Sequence, residues 1–129
     1  MRTETSFELI GDLIGVRALV ASPSTRAEFT LILDTAAVMT TLVPGVAESL
    51  GYTAAVREGW TVTRTAAAEE RGYIVRAELS SLGVTMPNHR VVVADLGYGI
   101  DGLLGINFLR HFNVEIRFAD QRIFVEPPA

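Results

Sequence analysis

The sequence predicts one mostly β domain spanning residues 1–129, with a closed barrel-like fold and one or two short helices. Two observations support this fold class. Turn-forming residues recur at short intervals, and the segments between them are short and rich in β-branched and apolar residues. A chain of 129 residues that is 49% hydrophobic can bury a core of its own, and no linker-like segment divides it.

The strands are expected to pair mainly as hairpins. Seven segments have strand character: 13–20, 28–33, 61–64, 73–79, 90–94, 114–118 and 123–126. The first two flank a Ser-Pro-Ser turn, and the last two flank a four-residue turn. The third and fourth would form a hairpin with the charged residues Glu69, Glu70 and Arg71 near its tip.

Two short segments are predicted to be helical. Residues 44–50 begin with proline and are followed by Gly51, which is the usual order of these residues around a helix. Residues 103–111 place Leu104, Phe108 and Leu109 on roughly one helical face.

Composition and charge exclude several function classes. The chain has eleven basic and fifteen acidic residues, a formal net charge of -4 and no cysteine. We therefore expect no nucleic-acid partner, no membrane partner and no site that depends on thiolate. Acidic residues interrupt the N-terminal apolar stretch, and no apolar run is long enough to span a bilayer, so a cytoplasmic location is expected.

The segment with the clearest chemical content follows a predicted strand. The apolar run Leu31-Ile32-Leu33 leads directly into Asp34, Thr35, Ala36 and Ala37. A carboxylate beside an apolar strand is costly unless something uses it. An aspartate that only stabilises a turn is the commoner role at such a position, and residue types alone leave both interpretations open.

Two blocks of sequence together resemble the retropepsin-like aspartic proteases. The first is the strand with Asp34-Thr35-Ala36-Ala37 and the helix that starts at Pro44, and the second is the stretch 101–118 (DGLLGINFLRHFNVEIRF). The resemblance covers about residues 13–127 and implies an endopeptidase that works as a homodimer on peptide or protein substrates, without cofactor or metal. It assigns catalysis to Asp34 from each chain and support of the active-site turn to Thr35 and Ala36.

The resemblance also implies that terminal strands join the two subunits. The candidates are residues 7–10 and residues 123–126. Two positions depart from the family pattern: Ala36 stands where the family has glycine, and the expected flap is charged. The alternative is therefore a catalytically weakened or inactive member of the fold that dimerises or binds peptides.

Other candidate motifs are weaker. Residues 97–102 match the glycine spacing of a dinucleotide-binding loop, but too little chain follows for a doubly wound sheet, so a loop leading into residues 103–105 is expected. His89 and His111 are expected on the surface or at a helix end. Pairing of Asp34 with Asp95 or Asp101 within one chain is a less favoured alternative, because neither is followed by the Thr/Ser-Gly pattern.

Overall fold

A computed structural model describes residues 1–64, 69–97 and 99–128, with the backbone only at residues 63 and 64. The described strands are β1 (Thr3–Ser6), β2 (Glu8–Ile10), β3 (Leu13–Ala21), β4 (Arg26–Leu33), β5 (Thr41–Leu42), β6 (Gly59–Arg64), β7 (Glu69–Ser81), β8 (Val84–Val93), β9 (Gly102–Leu104), β10 (Asn113–Arg117) and β11 (Arg122–Glu126). The helices are α1 (Pro44–Ser49) and α2 (Ile106–Leu109), with a 3₁₀ turn at Ala54–Val56. The mostly β class is confirmed. Across these ranges no helix is long and apolar enough to cross a bilayer.

The larger sheet closes into a ring. Its strand order is β2-β3-β4-β9-β5-β8-β7-β6, and an additional pairing joins β7 to β3. Six strands therefore surround the core, while β2 and β6 extend from the ring. Most neighbours are antiparallel, but β4 pairs with β9 and β5 pairs with β8 in parallel. The parallel pairs place residues from distant parts of the sequence side by side.

A smaller sheet contains both ends of the described chain, in the order β1-β11-β10. Strand β11 has β1 bonded on one side and β10 on the other, and its Ile123 and Val125 are buried. Within one chain β11 is therefore an interior strand, and the expectation that residues 123–126 take part in a dimer sheet stays a prediction. Residues 7–10 instead lead into β2, whose exposed residues Glu8, Leu9 and Ile10 form an edge of the larger sheet.

Helix α1 agrees with the sequence prediction, whereas the second helix is much shorter than expected. Pro44 starts α1, and Gly51 follows its end with φ +88°, a conformation that glycine adopts readily. Of the predicted helix 103–111, only Ile106–Leu109 is helical, because the preceding residues form β9. An apolar run this short fits a buried strand as well as a helix, and its neighbours decide which forms.

The hairpin of β6 and β7 has the flap charges close to its tip, as expected, but within a strand. Glu69, Glu70 and Arg71 lie in β7, opposite residues 64, 63 and 62 of β6, so they are paired strand residues. The connecting residues 65–68 lie outside the described part. At the base of the hairpin, the Arg71 guanidinium lies 4.0 Å from the centre of the Trp60 ring. Trp60 thus packs against its own hairpin, although 45% of its surface is exposed.

Two apolar clusters fill the molecule on opposite sides of β4. Leu31 and Leu33 point into the main core, which includes the fully buried Phe108. Ile32 points the other way and packs with Leu96 and Leu103 in a smaller cluster. Since side chains alternate along a strand, the side chain that follows β4 at position 34 belongs on the face of Ile32.

Candidate active site

Asp34 extends the parallel pairing of β4 with β9. Leu33 lies opposite Leu104, and the Asp34 backbone N–H donates a hydrogen bond of 3.0 Å to the Leu104 carbonyl oxygen. A strand buried on both faces and hydrogen-bonded to its neighbour is a rigid support. The position of Asp34 is therefore fixed by two segments about seventy residues apart in sequence.

A tight turn orients the Asp34 carboxylate. The Ala36 N–H donates to Asp34 Oδ1 at 2.9 Å, and the Ala37 N–H donates to the Asp34 carbonyl oxygen at 3.2 Å. Asp34 is half-buried, whereas Thr35 and Ala36 are exposed. One carboxylate oxygen is thus held by the turn. These contacts alone are those of an ordinary aspartate turn, so the chemistry must be argued from what surrounds it.

Glycines let β9 lie between β4 and β5. A Cβ at Gly102 would overlap the carbonyl oxygen of Thr41, and a Cβ at Gly105 would lie 2.6 Å from the backbone carbon of Met39. Gly105 has φ -101° and ψ -179°, which any residue can adopt, so it is close approach and not backbone strain that requires glycine there. The sequence prediction identified this segment but not the reason for its glycines.

The segment 37–40 that follows the turn is held by the start of α2. The Ile106 N–H donates to the Ala37 carbonyl oxygen at 2.8 Å, and the Asn107 N–H donates to the Val38 carbonyl oxygen at 2.9 Å. Asn107 Oδ1 accepts from the Thr40 N–H at 2.7 Å and from Thr40 Oγ1 at 2.9 Å. Sequence reasoning missed Thr40 and Asn107. The available signals were polar residues inside otherwise apolar stretches.

His89 corrects the expectation of a surface histidine. It is only 6% exposed, its Nε2 lies 3.2 Å from Thr40 Oγ1, and its ring meets Phe108 edge-on at 5.7 Å. Burial lowers the pKa of His89, the Asn107 side chain acts against this, and the nearby charges of His111 and Arg110 act in the same direction as burial. His111 is exposed just beyond α2, as expected.

The carboxylates of Asp95 and Asp101 each accept a backbone hydrogen bond away from Asp34. Asp95 Oδ1 accepts a hydrogen bond of 2.9 Å from the Gly97 N–H, and Asp101 Oδ2 accepts one of 3.3 Å from the Thr30 N–H. Of the segment 97–102, the described residues 99–101 lead into β9, which is followed by a helix of only four residues, unlike a dinucleotide-binding unit. Within the described ranges, no group of three or more acidic, histidine or cysteine side chains is arranged to hold a metal ion.

Comparisons with known proteins identify the family. The family model described as "Aspartyl protease" matches residues 18–108, which include the Asp34 turn, β9 and the start of α2. The chain belongs to this family of aspartyl proteases. No curated protein matches the sequence significantly.

Solved structures show the same retropepsin-like fold. A retropepsin-like aspartic protease from Rickettsia conorii superposes with a TM-score of 0.74 at 18% identity, covering 97% of this chain and 91% of that one. An inhibitor-bound EIAV protease gives a TM-score of 0.60 at 17% identity, covering 80% of this chain and 90% of that one. At these identities the likeness establishes the fold, while the chemistry depends on the site itself.

Proposed function

We propose that this aspartyl protease family member is an endopeptidase whose active site is completed by a second copy of the chain. The observation that carries the proposal is the Asp34 turn itself: one oriented carboxylate at the end of a buried strand, followed by the exposed residues Thr35 and Ala36. Two such turns meeting at a two-fold axis would bring two carboxylates together. Family membership supports this assembly.

The chemistry needs the two carboxylates in different protonation states. Carboxylates about 3 Å apart cannot both ionise easily, so they share one proton. The ionised Asp34 takes a proton from water while the water oxygen attacks the peptide carbonyl carbon, and the protonated Asp34 donates to the carbonyl oxygen. A proton then passes to the amide nitrogen as the C–N bond breaks. Two aspartic acid side chains and one water are sufficient for these reaction steps. The shared proton belongs to the pair and not to either Asp34 alone.

Thr35 and Ala36 are proposed to contact the partner subunit. Both are exposed in the single chain, so their side chains are available to a second copy. The Thr35 hydroxyl would hydrogen-bond the partner's backbone. The Ala36 methyl adds bulk where the family has glycine. Since Ala36 is exposed, any crowding would affect the partner or the substrate, not the fold of its own chain.

The surroundings favour an extended peptide with apolar side chains. On the face of β4 to which Asp34 belongs, Ile32, Leu96 and Leu103 form a buried apolar cluster. The half-buried Ala37 and Ile100 pack over it and offer apolar surface to a substrate. An extended peptide can pair its backbone with strand edges while alternate side chains enter apolar pockets. We therefore propose preferred cleavage beside apolar residues.

Cleavage of a peptide library tests this function. Wild-type protein should cleave between mildly acidic and neutral pH, and Asp34→Asn should abolish cleavage without unfolding the protein. Asp95→Asn is the matched control, because it changes a carboxylate that only accepts a turn hydrogen bond. Cleavage that survives in Asp34→Asn would refute the assignment.

Ala36→Gly separates the proposal from its alternative. If Ala36 is tolerated, wild type and Ala36→Gly should cleave at rates within about tenfold of each other. If Ala36 instead displaces the Asp34 carboxylate by about 1 Å, the wild-type rate should be about 10²-fold lower than that of Ala36→Gly. Cleavage that appears only in Ala36→Gly would show instead that the natural chain is a dimerising or peptide-binding member of the fold. That outcome would leave the role of Asp34 intact but remove the activity.

A further inference from the structure

His89 lies behind the segment that leads away from the catalytic turn. The residue is on β8, its ring faces Phe108 of α2, and its Nε2 contacts the Thr40 hydroxyl. Thr40 in turn bonds to Asn107 through both its backbone and its side chain. His89 therefore belongs to a polar cluster with Thr40 and Asn107, which holds the end of the segment 37–40.

The hydrogen bonds around Thr40 determine which ring nitrogen of His89 carries a proton. Asn107 Nδ2 donates to the Arg90 carbonyl oxygen at 2.8 Å, which leaves Asn107 Oδ1 as the acceptor for the Thr40 hydroxyl proton. Thr40 Oγ1 then has two lone pairs. The Gly105 N–H donates to one at 3.2 Å, so His89 Nε2 must donate to the other. The structure assigns a proton to His89 Nε2, so a neutral ring has its bare nitrogen at Nδ1.

We propose that neutral His89 is a positioning residue for the active site, and that its protonation at Nδ1 releases Thr40 and loosens the segment 37–40. The proposal rests on the proposed function of the Asp34 turn, because the segment 37–40 begins where that turn ends. It predicts that kcat/KM falls toward acid pH because of a group other than the Asp34 pair.

The charges around the ring oppose a second proton. On α2 and just beyond it, Arg110 and His111 both disfavour the charged form of His89, whereas the neutral Asn107 side chain favours it. Arg90, the next residue on β8, points outward to Glu58. The cross-strand neighbour on β7 is Ala77, and residues 37–40 carry no charge. None of the residues named here brings a carboxylate to the His89 ring. A protonated ring would therefore lower its free energy by moving toward water.

Two variants separate protonation from packing. His89→Gln can keep an N–H donor toward Thr40 but cannot become a cation in this pH range. His111→Gln is the matched control, because it removes the other, exposed histidine and leaves His89 in place. Since His111 disfavours the charged form of His89, this variant should move the His89 midpoint to slightly higher pH and keep the loss of activity. For wild type and both variants, kcat/KM would be measured from pH 4 to pH 8, together with NMR titration of the histidine ring and of the amides of residues 37–40.

We expect wild type and His111→Gln to lose about tenfold in kcat/KM as the His89 ring titrates, and His89→Gln to lose less than about twofold over the same range. The amides of residues 37–40 should shift with the same midpoint as the His89 ring. Superimposable profiles for wild type and His89→Gln would overturn the proposal. So would a His89 titration that leaves these amides unmoved, a measurement that needs only the wild-type protein.

The readouts also distinguish this proposal from the proposed function. If no variant cleaves any peptide, the protease assignment fails, but the coupling between the His89 ring and residues 37–40 is still decided by NMR. If cleavage depends on Asp34 while the two pH profiles coincide, the protease assignment stands and the role of His89 is refuted.

Discussion

Replacing Gly105 by alanine tests the packing that holds the catalytic turn. The added Cβ would lie 2.6 Å from the Met39 carbonyl carbon and 2.7 Å from both the Met39 oxygen and the Thr40 nitrogen. These are backbone atoms and about 0.7 Å closer than ordinary contact, so a side-chain rotation cannot relieve the overlap. Overpacking of this kind costs about 1–3 kcal/mol.

The same substitution should also reduce activity. To relieve the overlap, the backbone of Met39 and Thr40 must shift away from Gly105. These two residues belong to the segment that directly follows the Asp34 turn. A displacement of about 1 Å at an active site lowers the rate by about 10²-fold. Urea unfolding followed by circular dichroism measures the stability change, and peptide cleavage at a temperature where both proteins are folded measures the rate.

Gly45→Ala provides the control for Gly105→Ala. Gly45 is in α1 and has no atom within 4 Å of its added Cβ, so alanine there should stabilise by about 0.5–1 kcal/mol. If Gly105→Ala unfolds at the wild-type urea midpoint, the close approach of β9 to the segment 37–40 is wrong. If it is destabilised but cleaves at the wild-type rate, the coupling of that packing to the turn is wrong.

Three further substitutions test the core, a side-chain hydrogen bond and a surface ion pair. Phe108→Ala removes a fully buried ring and should cost about 3–5 kcal/mol in urea unfolding, while a loss below about 1 kcal/mol would contradict its place in the core. Tyr52→Phe removes the hydroxyl that donates to the Arg76 carbonyl oxygen at 2.7 Å and should cost about 0.5–1.5 kcal/mol, and an unchanged midpoint would show that this bond is not formed. The hydrogen bond from the Arg76 side chain lowers the pKa of Glu58, so the thermal midpoint of wild type should exceed that of Glu58→Gln at neutral pH, and the gap should close as the pH falls through this lowered pKa. A gap that is independent of pH would refute that ion pair.

Local patterns predicted the elements whose partners are near in sequence. The hairpin of β3 and β4 and the hairpin of β10 and β11 form where the turns between them indicated. Helix α1 forms between Pro44 and Gly51 as predicted. In each case one turn or one pair of flanking residues determines the outcome, so a short window of sequence is sufficient.

Elements that depend on distant partners were predicted less well. Leu103 and Leu104 continue into the apolar helix α2, and their strand character appears only because β4 and β5 lie on either side. His89 was expected on the surface or at a helix end because no pattern of carboxylates surrounds it in the sequence. Its burial follows from the approach of Thr40 and Phe108 from other elements. Strand β1 carries no apolar pattern and is defined by its pairing with β11.

The site could be predicted only in part for the same reason. The resemblance placed Asp34, Thr35 and Ala36 in one turn, and their mutual contacts are local. The support of that turn by Gly105 and Asn107 joins segments far apart in the chain. A sequence pattern can identify the reactive group, while the residues that hold it in place become visible only in three dimensions.

Mixing active and inactive chains shows whether each active site needs Asp34 from two subunits. Wild-type protein is held at a concentration where dimers predominate, and an equal amount of Asp34→Asn is allowed to exchange with it. If each active site requires Asp34 from two chains, about half of the wild-type chains enter inactive mixed dimers, and total cleavage falls to about half. Cleavage that stays at its original rate after full exchange would show that one chain contains a complete active site.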